Sequence, residues 1–167
     1  QRTLRAELFY KDYEKLYKTG TAQTIPVAIS ANGSGYAKGF EIFYRDKKTI
    51  KNMDYWISYS FLDTKRDYLN FPGTMEPNFA AKHTASLIVK KFMLPWKTGF
   101  NMSYNYASGR PYYHIGFDAT QNKNVLTDKG RTIDYHNVSF GVKYLPKIGK
   151  KEAKSFIVYV LGLSNAF

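Results

Sequence analysis

Apolar and polar residues alternate along most of the chain. In the first alternating segment, Leu4, Ala6 and Leu8 are separated by Arg5 and Glu7. Successive side chains of a β-strand point to opposite faces, so a period of two predicts strands. The pattern predicts seven strands, at residues 4–11, 38–46, 53–62, 83–92, 98–107, 136–144 and 155–163. The last segment is apolar on both faces, and no segment has a convincing helical period.

The connections between these strands alternate in length. The long ones lie near residues 17–36, 63–82 and 108–134, and the short ones at 47–52, 94–97 and 145–154. Successive connections of an up-and-down antiparallel sheet emerge at opposite ends. The sequence therefore predicts an all-β chain of antiparallel up-and-down strands, with its long loops at one end and its short turns at the other.

The apolar positions are rich in aromatic residues, since the 167 residues include 15 Tyr and 12 Phe. Several tyrosines fall near the ends of predicted strands, and aromatic girdles at both interfaces are typical of transmembrane β-barrels. The other face carries Gly, Ser and Asn, as a water-filled interior would. Strands of about 9–11 residues cross a bilayer when tilted. The alternative is a soluble meander whose aromatic side chains form the core of a sandwich.

Composition excludes several classes of protein. An apolar share of 44% is too high for a disordered chain, and no apolar run is long enough for a membrane-spanning helix. The absence of cysteine excludes disulfides, thiol nucleophiles and thiolate metal sites. The charge is strongly basic, with 25 Lys and Arg against 13 Asp and Glu.

Residues that could perform catalysis do not form a recognisable set. His83, His114 and His136 are far apart and lack the spacing of a metal-binding helix. The chain also has no G-x-S-x-G or G-x-x-x-x-G-K-[ST] motif. We therefore expect no enzymatic activity, no cofactor and no metal.

Four motifs follow one another along the chain: a G-x-E strand from Gly39, a D-x-x-R-D segment from Asp63, an H-T-x-S-L strand from His83 and an S-G-R-P-Y segment from Ser108. In this order they resemble the C-terminal barrel portion of TonB-dependent outer-membrane receptors. None of the four is a catalytic signature. The stretches that carry them cover most of the chain.

This resemblance implies a barrel of about 22 strands around an N-terminal plug, located in the bacterial cell outer membrane. Such receptors import scarce ligands such as iron chelates, cobalamin or glycans with energy relayed by TonB. Seven strands cannot close so large a barrel, and residues 1–167 contain neither a plug nor a TonB-contacting box. We expect the chain to be a C-terminal segment of such a receptor. An alternative is that Phe167 is the terminal aromatic residue that the outer-membrane insertion machinery reads.

The partners implied by the resemblance are outer-membrane lipid, TonB through the missing N-terminal region, and a small-molecule or glycan ligand. A surface lipoprotein over the long loops is a further candidate partner. For ligand contact, polar residues near the long-loop end are favoured, since an Arg beside aromatic rings can hold a carboxylate, a phosphate or a sugar. The candidates are Arg66, Asp67, Tyr68, Asn105, Arg110, Tyr112 and Tyr113. Alternatively, Arg110 and Pro111 only shape the start of their loop.

Lysines concentrate in two of the short connections, 47–52 and 145–154. A soluble all-β binding module for polyanions is therefore the alternative function. Because the aromatic residues lie on the apolar faces and these lysines in turns, the two are not interleaved on one surface, which argues against nucleic acid as a partner. A structural or adhesive barrel without TonB coupling is a third hypothesis.

Overall fold

The computed structural model describes residues 1–19, 29–149 and 155–165. These residues form nine strands, and all named strand pairs are antiparallel. The strands are β1 (Arg2–Thr19), β2 (Ile29–Asp46), β3 (Met53–Asp67), β4 (His83–Met93), β5 (Thr98–Ala107), β6 (Pro111–Asp118), β7 (Lys123–Arg131), β8 (Tyr135–Tyr144) and β9 (Tyr159–Leu163). Among the described residues, no helix has the length and apolar character needed to span a membrane.

Seven strands form one sheet in the order β1-β2-β3-β4-β5-β8-β9, with β1 and β9 at its two edges. The remaining pair, β6 and β7, forms a separate hairpin between β5 and β8. The prediction of an all-β, antiparallel chain is confirmed, and each predicted strand overlaps a strand of the large sheet. The count of seven strands was too low, because the hairpin adds two.

The long loops are shorter than predicted. Within 17–36, β1 continues to Thr19 and β2 begins at Ile29, while residues 20–28 lie outside the described part. Two register shifts interrupt the pairing of β1 with β2 between Tyr13 and Lys18, and Lys15 takes a left-handed φ of 57° there. These irregularities break the period of two, so the apolar–polar alternation predicted a strand that ends at residue 11, before the true end of β1 at Thr19.

The other two long loops also contain strand residues. Within 63–82, β3 extends to Asp67, and an isolated bridge joins Arg66 to Met75. Within 108–134 lies the β6–β7 hairpin, whose turn ends at Asn122 with a φ of 49°. Polar residues and a proline interrupt the alternation here, so the sequence pattern missed both strands. The predicted strand at 155–163 is strand only over Tyr159–Leu163.

The short turn between β2 and β3 is organised by Asp46. Its carboxylate accepts hydrogen bonds from the backbone N–H groups of Lys48 at 2.6 Å and Thr49 at 2.9 Å. It also accepts one from Arg2 Nε at 3.0 Å. Asp46 is 1% exposed, and these donors compensate for its burial. The carboxylate thus ties the start of β1 to the turn that follows β2.

Candidate functional site

The large sheet has one apolar face, which we define by the side chains that share a side with Leu4. Residues directly opposite each other on neighbouring strands point to the same side, so the register identifies the face. One row across six strands is Leu4, Tyr44, Ile57, Leu87, Tyr104 and Val138. The next row contains Tyr55, Val89, Met102, Phe140 and Leu163.

No second layer of described residues covers this apolar face. Leu8 is 85% exposed, Leu4 is 72% exposed and Ile57, near the middle of the sheet, is 47% exposed. The buried hydrophobic residues of the described part are Ala37, Phe71 and Ala80. A contiguous apolar surface of this kind is unusual on a soluble monomer and marks a binding or membrane surface.

Tyrosine and histidine side chains form two similar pairs where the apolar face meets the long-loop end. Tyr59 Oη lies 2.8 Å from His83 Nδ1, and Tyr104 Oη lies 2.8 Å from His136 Nδ1. Each pair joins neighbouring strands, first β3 to β4 and then β5 to β8. Two of the three histidines therefore act as partners of rim tyrosines.

The opposite, polar face carries mostly small polar residues. We define it by the side chains that share a side with Glu7. Among the rows that cross all six strands from β1 to β8 in the large sheet, the one nearest the long-loop end is Glu7, Glu41, Ser60, Thr84, Ala107 and Tyr135. The next row is Arg5, Phe43, Ser58, Ser86, Asn105 and Asn137.

These two rows line a groove of about 580 Å³, which we call the upper groove. Residues of β1, β2, β3, β4, β5 and β8 all contribute to it, which indicates that the sheet curls toward its polar face. Glu7 and Glu41 lie opposite each other, and Ser60 Oγ donates to Glu41 at 3.3 Å. Hydroxyls, amides and carboxylates beside aromatic rings can bind a polyhydroxylated or cationic ligand.

The upper groove contains two of the predicted ligand-contact residues, Asn105 and Arg110. Asn105 Oδ1 accepts a hydrogen bond from Ser86 Oγ at 2.8 Å, which fixes its amide across β4 and β5. The backbone N–H of Arg110 donates to Thr132 Oγ1 at 2.9 Å. The Arg110 side chain is exposed at the groove, so both residues can contact a ligand.

Asp134 holds the loop that carries Arg110. Its carboxylate accepts hydrogen bonds from the backbone N–H of Gly109 at 2.8 Å and from Tyr106 Oη at 2.8 Å. The Gly109 N–H and then the Tyr106 hydroxyl lower the pKa of Asp134 below its usual range. A charged Asp134 therefore positions Arg110 at the mouth of the upper groove.

The structure places Arg66, Asp67 and Tyr68 away from this groove. The guanidinium of Arg66 lies 4.4 Å from the Tyr13 ring and 5.3 Å from the Phe79 ring. Asp67 binds Lys18 Nζ at 2.6 Å. These two residues already have partners within the sheet, so their observed contacts are structural.

Tyr68 and Tyr113 are brought together through Phe71. The Phe71 ring lies 5.0 Å from Tyr68 and 5.7 Å from Tyr113, and Phe71 is buried. Tyr113 also lines a separate groove between the β6–β7 hairpin and residues 74–76, and burial raises its pKa. Tyr112 lies on the other side of the hairpin, against Gly130. The seven residues predicted to contact a ligand therefore lie in several different parts of the structure.

Sequence reasoning missed the two glutamates and the hydroxyl residues of the upper groove. The sequence shows that these polar residues alternate with apolar ones. It does not show that Glu7 lies near Asn105, because the strands that carry them are far apart in sequence. It also missed the ion pair of Arg131 with Glu76, which attaches the hairpin to the neighbouring loop. No cluster of three or more potential metal ligands occurs within residues 1–19, 29–149 and 155–165.

The chain was compared with known proteins at three levels. No protein-family model, no curated protein and no solved structure matches it.

Proposed function

We propose that the chain is a segment of an energy-coupled outer-membrane receptor, in which the sheet forms part of a large transmembrane barrel of about 22 strands. The receptor takes up a scarce ligand such as an iron chelate, cobalamin or a glycan, with energy relayed by TonB. The observation that carries the proposal is the uncovered apolar face of seven antiparallel strands, because lipid tails are the solvent that suits such a face.

The dimensions of the apolar face support this proposal. On β3 the apolar side chains run from Tyr55 to Phe61, which is roughly 20 Å at the usual rise per residue of a strand. The apolar band of outer-membrane barrels is about 25 Å tall. Tyr59 and Tyr106 lie toward the long-loop end and Tyr55 and Tyr144 toward the short-turn end, as interfacial tyrosines do.

In this proposal the polar face lines the water-filled interior, and the upper groove lies on the extracellular side. Long extracellular loops and short periplasmic turns are the rule in bacterial barrels. Asn105 and Arg110 are then ligand contacts at the outer part of the passage, together with Glu41. TonB, the plug and a surface lipoprotein would contact regions of the receptor outside the described sheet.

The experiment uses the absence of cysteine from these residues. Single substitutions Ile57→Cys and Leu87→Cys probe the apolar face, and the adjacent Ser58→Cys and Ser86→Cys are matched controls on the polar face. Cells that express the full-length receptor with each substitution are treated with a hydrophilic maleimide. We expect labelling of the two serine positions and protection of the two apolar positions. In purified protein, lipid-soluble nitroxides should quench a fluorophore only at positions 57 and 87.

Equal labelling of all four positions would contradict the membrane assignment. So would a monodisperse, cooperatively melting chain in buffer without detergent, which is the outcome expected of a soluble polyanion-binding module. TonB coupling has a separate test. Ligand uptake by the full-length receptor should disappear in cells without TonB, and uptake that persists would favour a structural or adhesive barrel.

A further inference from the structure

A second groove lies on the same polar face as the upper groove, but at the short-turn end of the sheet. We call it the lower groove, and its volume is about 680 Å³. The residues that matter for its chemistry are Lys47, Asp54, Lys90, Asn101 and Lys143. Asp54, Lys90 and Asn101 lie in one cross-strand row, and Lys143 lies opposite Gly99 in the adjacent row.

The lower groove has a large excess of positive charge. The carboxylate of Asp54 already accepts hydrogen bonds from Nε and Nη2 of Arg45, at 2.8 and 2.6 Å, and lies 3.6 Å from Lys47 Nζ. Among the described residues, Lys90 and Lys143 belong to no ion pair. Lysines that are gathered without a compensating carboxylate repel each other, so an anion that joins them is stabilising.

The floor of the groove leaves room between these lysines. Gly99 and Gly141 contribute no side chain, and the Asn101 amide lies over Gly141, where a Cβ would come within 2.8 Å of Nδ2. Lys90 Nζ lies 5.0 Å from the centre of the Trp56 ring, which restricts its position. Lys90, Asn101 and Lys143 thus bring two ammonium groups and one amide to three neighbouring strands, with the strand that carries the amide in the middle.

We propose that the lower groove binds the phosphate groups of a multiply charged ligand. Ammonium groups and an amide N–H are donors suited to phosphate oxygens, and two lysines without an ion-pair partner among the described residues match an anion with at least two negative charges. The same chemistry is offered by a free phosphate compound and by a phospholipid headgroup. The charges and contacts that support this site all lie on the polar face, so the site does not depend on the membrane assignment.

The test is calorimetric titration of the full chain in nonionic detergent with sodium pyrophosphate, and separately with micelles doped with phosphatidylglycerol. Lys90→Gln and Lys143→Gln should each weaken binding by about tenfold, since each removes one charged contact. Lys65→Gln is the matched control, because it removes the same charge at the long-loop end of the same sheet. It should change affinity by less than about twofold.

Saturation by pyrophosphate alone would identify a free phosphate compound, and saturation by the lipid alone would identify a headgroup. Lys90 contacts Trp56, so Lys90→Gln could weaken binding by destabilising the fold, and a thermal melt of each variant distinguishes the two causes. Lys143→Gln tests the groove independently of the Trp56 contact. The proposal is overturned if neither probe binds at low salt. It is also overturned if Lys65→Gln weakens binding as much as Lys143→Gln does, since the effect would then be nonspecific.

Discussion

The hydroxyl of Tyr59 lies 2.8 Å from Nδ1 of His83 on the neighbouring strand. His83 is directly opposite Phe61, so the hydrogen bond runs diagonally across the pair of strands, and the His83 ring also packs 5.3 Å from Phe61. Tyr104 and His136 repeat this geometry between β5 and β8. The rim of the apolar face is thus held by polar bonds between aromatic groups.

The first prediction concerns this bond. Tyr59→Phe keeps the ring but removes the hydroxyl, and it should lower the free energy of unfolding by about 0.5–1.5 kcal/mol. Urea unfolding of the chain in lipid vesicles measures the change. Tyr144→Phe is the control, since its ring stacks on Tyr159 at the other end of the face. An equal loss in both variants would show that the bond to His83 contributes nothing specific.

The second prediction concerns the close approach of strands at Gly39. A Cβ at this position would lie 2.9 Å from Cζ of Phe9 and would also contact the backbone oxygen of Phe61. Gly39→Val should therefore force β2 away from its neighbours and destabilise the sheet by about 1–3 kcal/mol.

Gly162→Val is the comparison for Gly39→Val, because among the described residues no atom beyond its two chain neighbours lies within 4 Å of a Cβ at residue 162. Its effect on the free energy of unfolding should stay within about 0.5 kcal/mol. Denaturant unfolding of both variants gives the two values. A stable Gly39→Val protein would mean that the strands have more room than their register indicates.

The third prediction follows from the lowered pKa of Asp134. Because the pKa is lower in the folded state, the carboxylate contributes stability above the unfolded value, near pH 4, and loses it as the pH falls further. The urea midpoint should therefore fall more steeply below pH 4 in the wild type than in Asp134→Asn. The two proteins are compared at matched pH from 7 to 3. Parallel curves would exclude Asp134 as a source of the acid sensitivity.

The fourth prediction concerns the cluster of Tyr68, Phe71 and Tyr113. Phe71→Ala removes a buried ring from between two tyrosines and should destabilise this cluster by about 3 kcal/mol or more. Hydrogen exchange should accelerate in the β6–β7 hairpin while the β3–β4 ladder stays protected. Phe79→Ala, which removes an exposed ring, is the control. Uniform acceleration across the sheet would show that the cluster does not form a local unit.

The sequence predicted the two faces of the sheet because a period of two assigns each side chain without knowledge of the pairing. Leu4 and Val138 belong to one face by that rule alone. The rule fails where the backbone is irregular, as at Lys15, and where a hairpin is short and polar, as at Tyr112. The alternating pattern also does not determine which strands are neighbours. Only the register of the paired strands shows that Glu7, Ser60 and Asn105 lie in one groove.

The position of β1 at the edge of the sheet has a consequence for handling the protein. Its 18 residues pair only with β2 among the described strands, so a long row of backbone N–H and C=O groups on the other side lacks a strand partner. Such a row templates the addition of another chain. Without detergent or lipid, preparations of these 167 residues alone should therefore assemble edge to edge into ribbons, and a short peptide that occupies the edge of β1 should keep them dispersed.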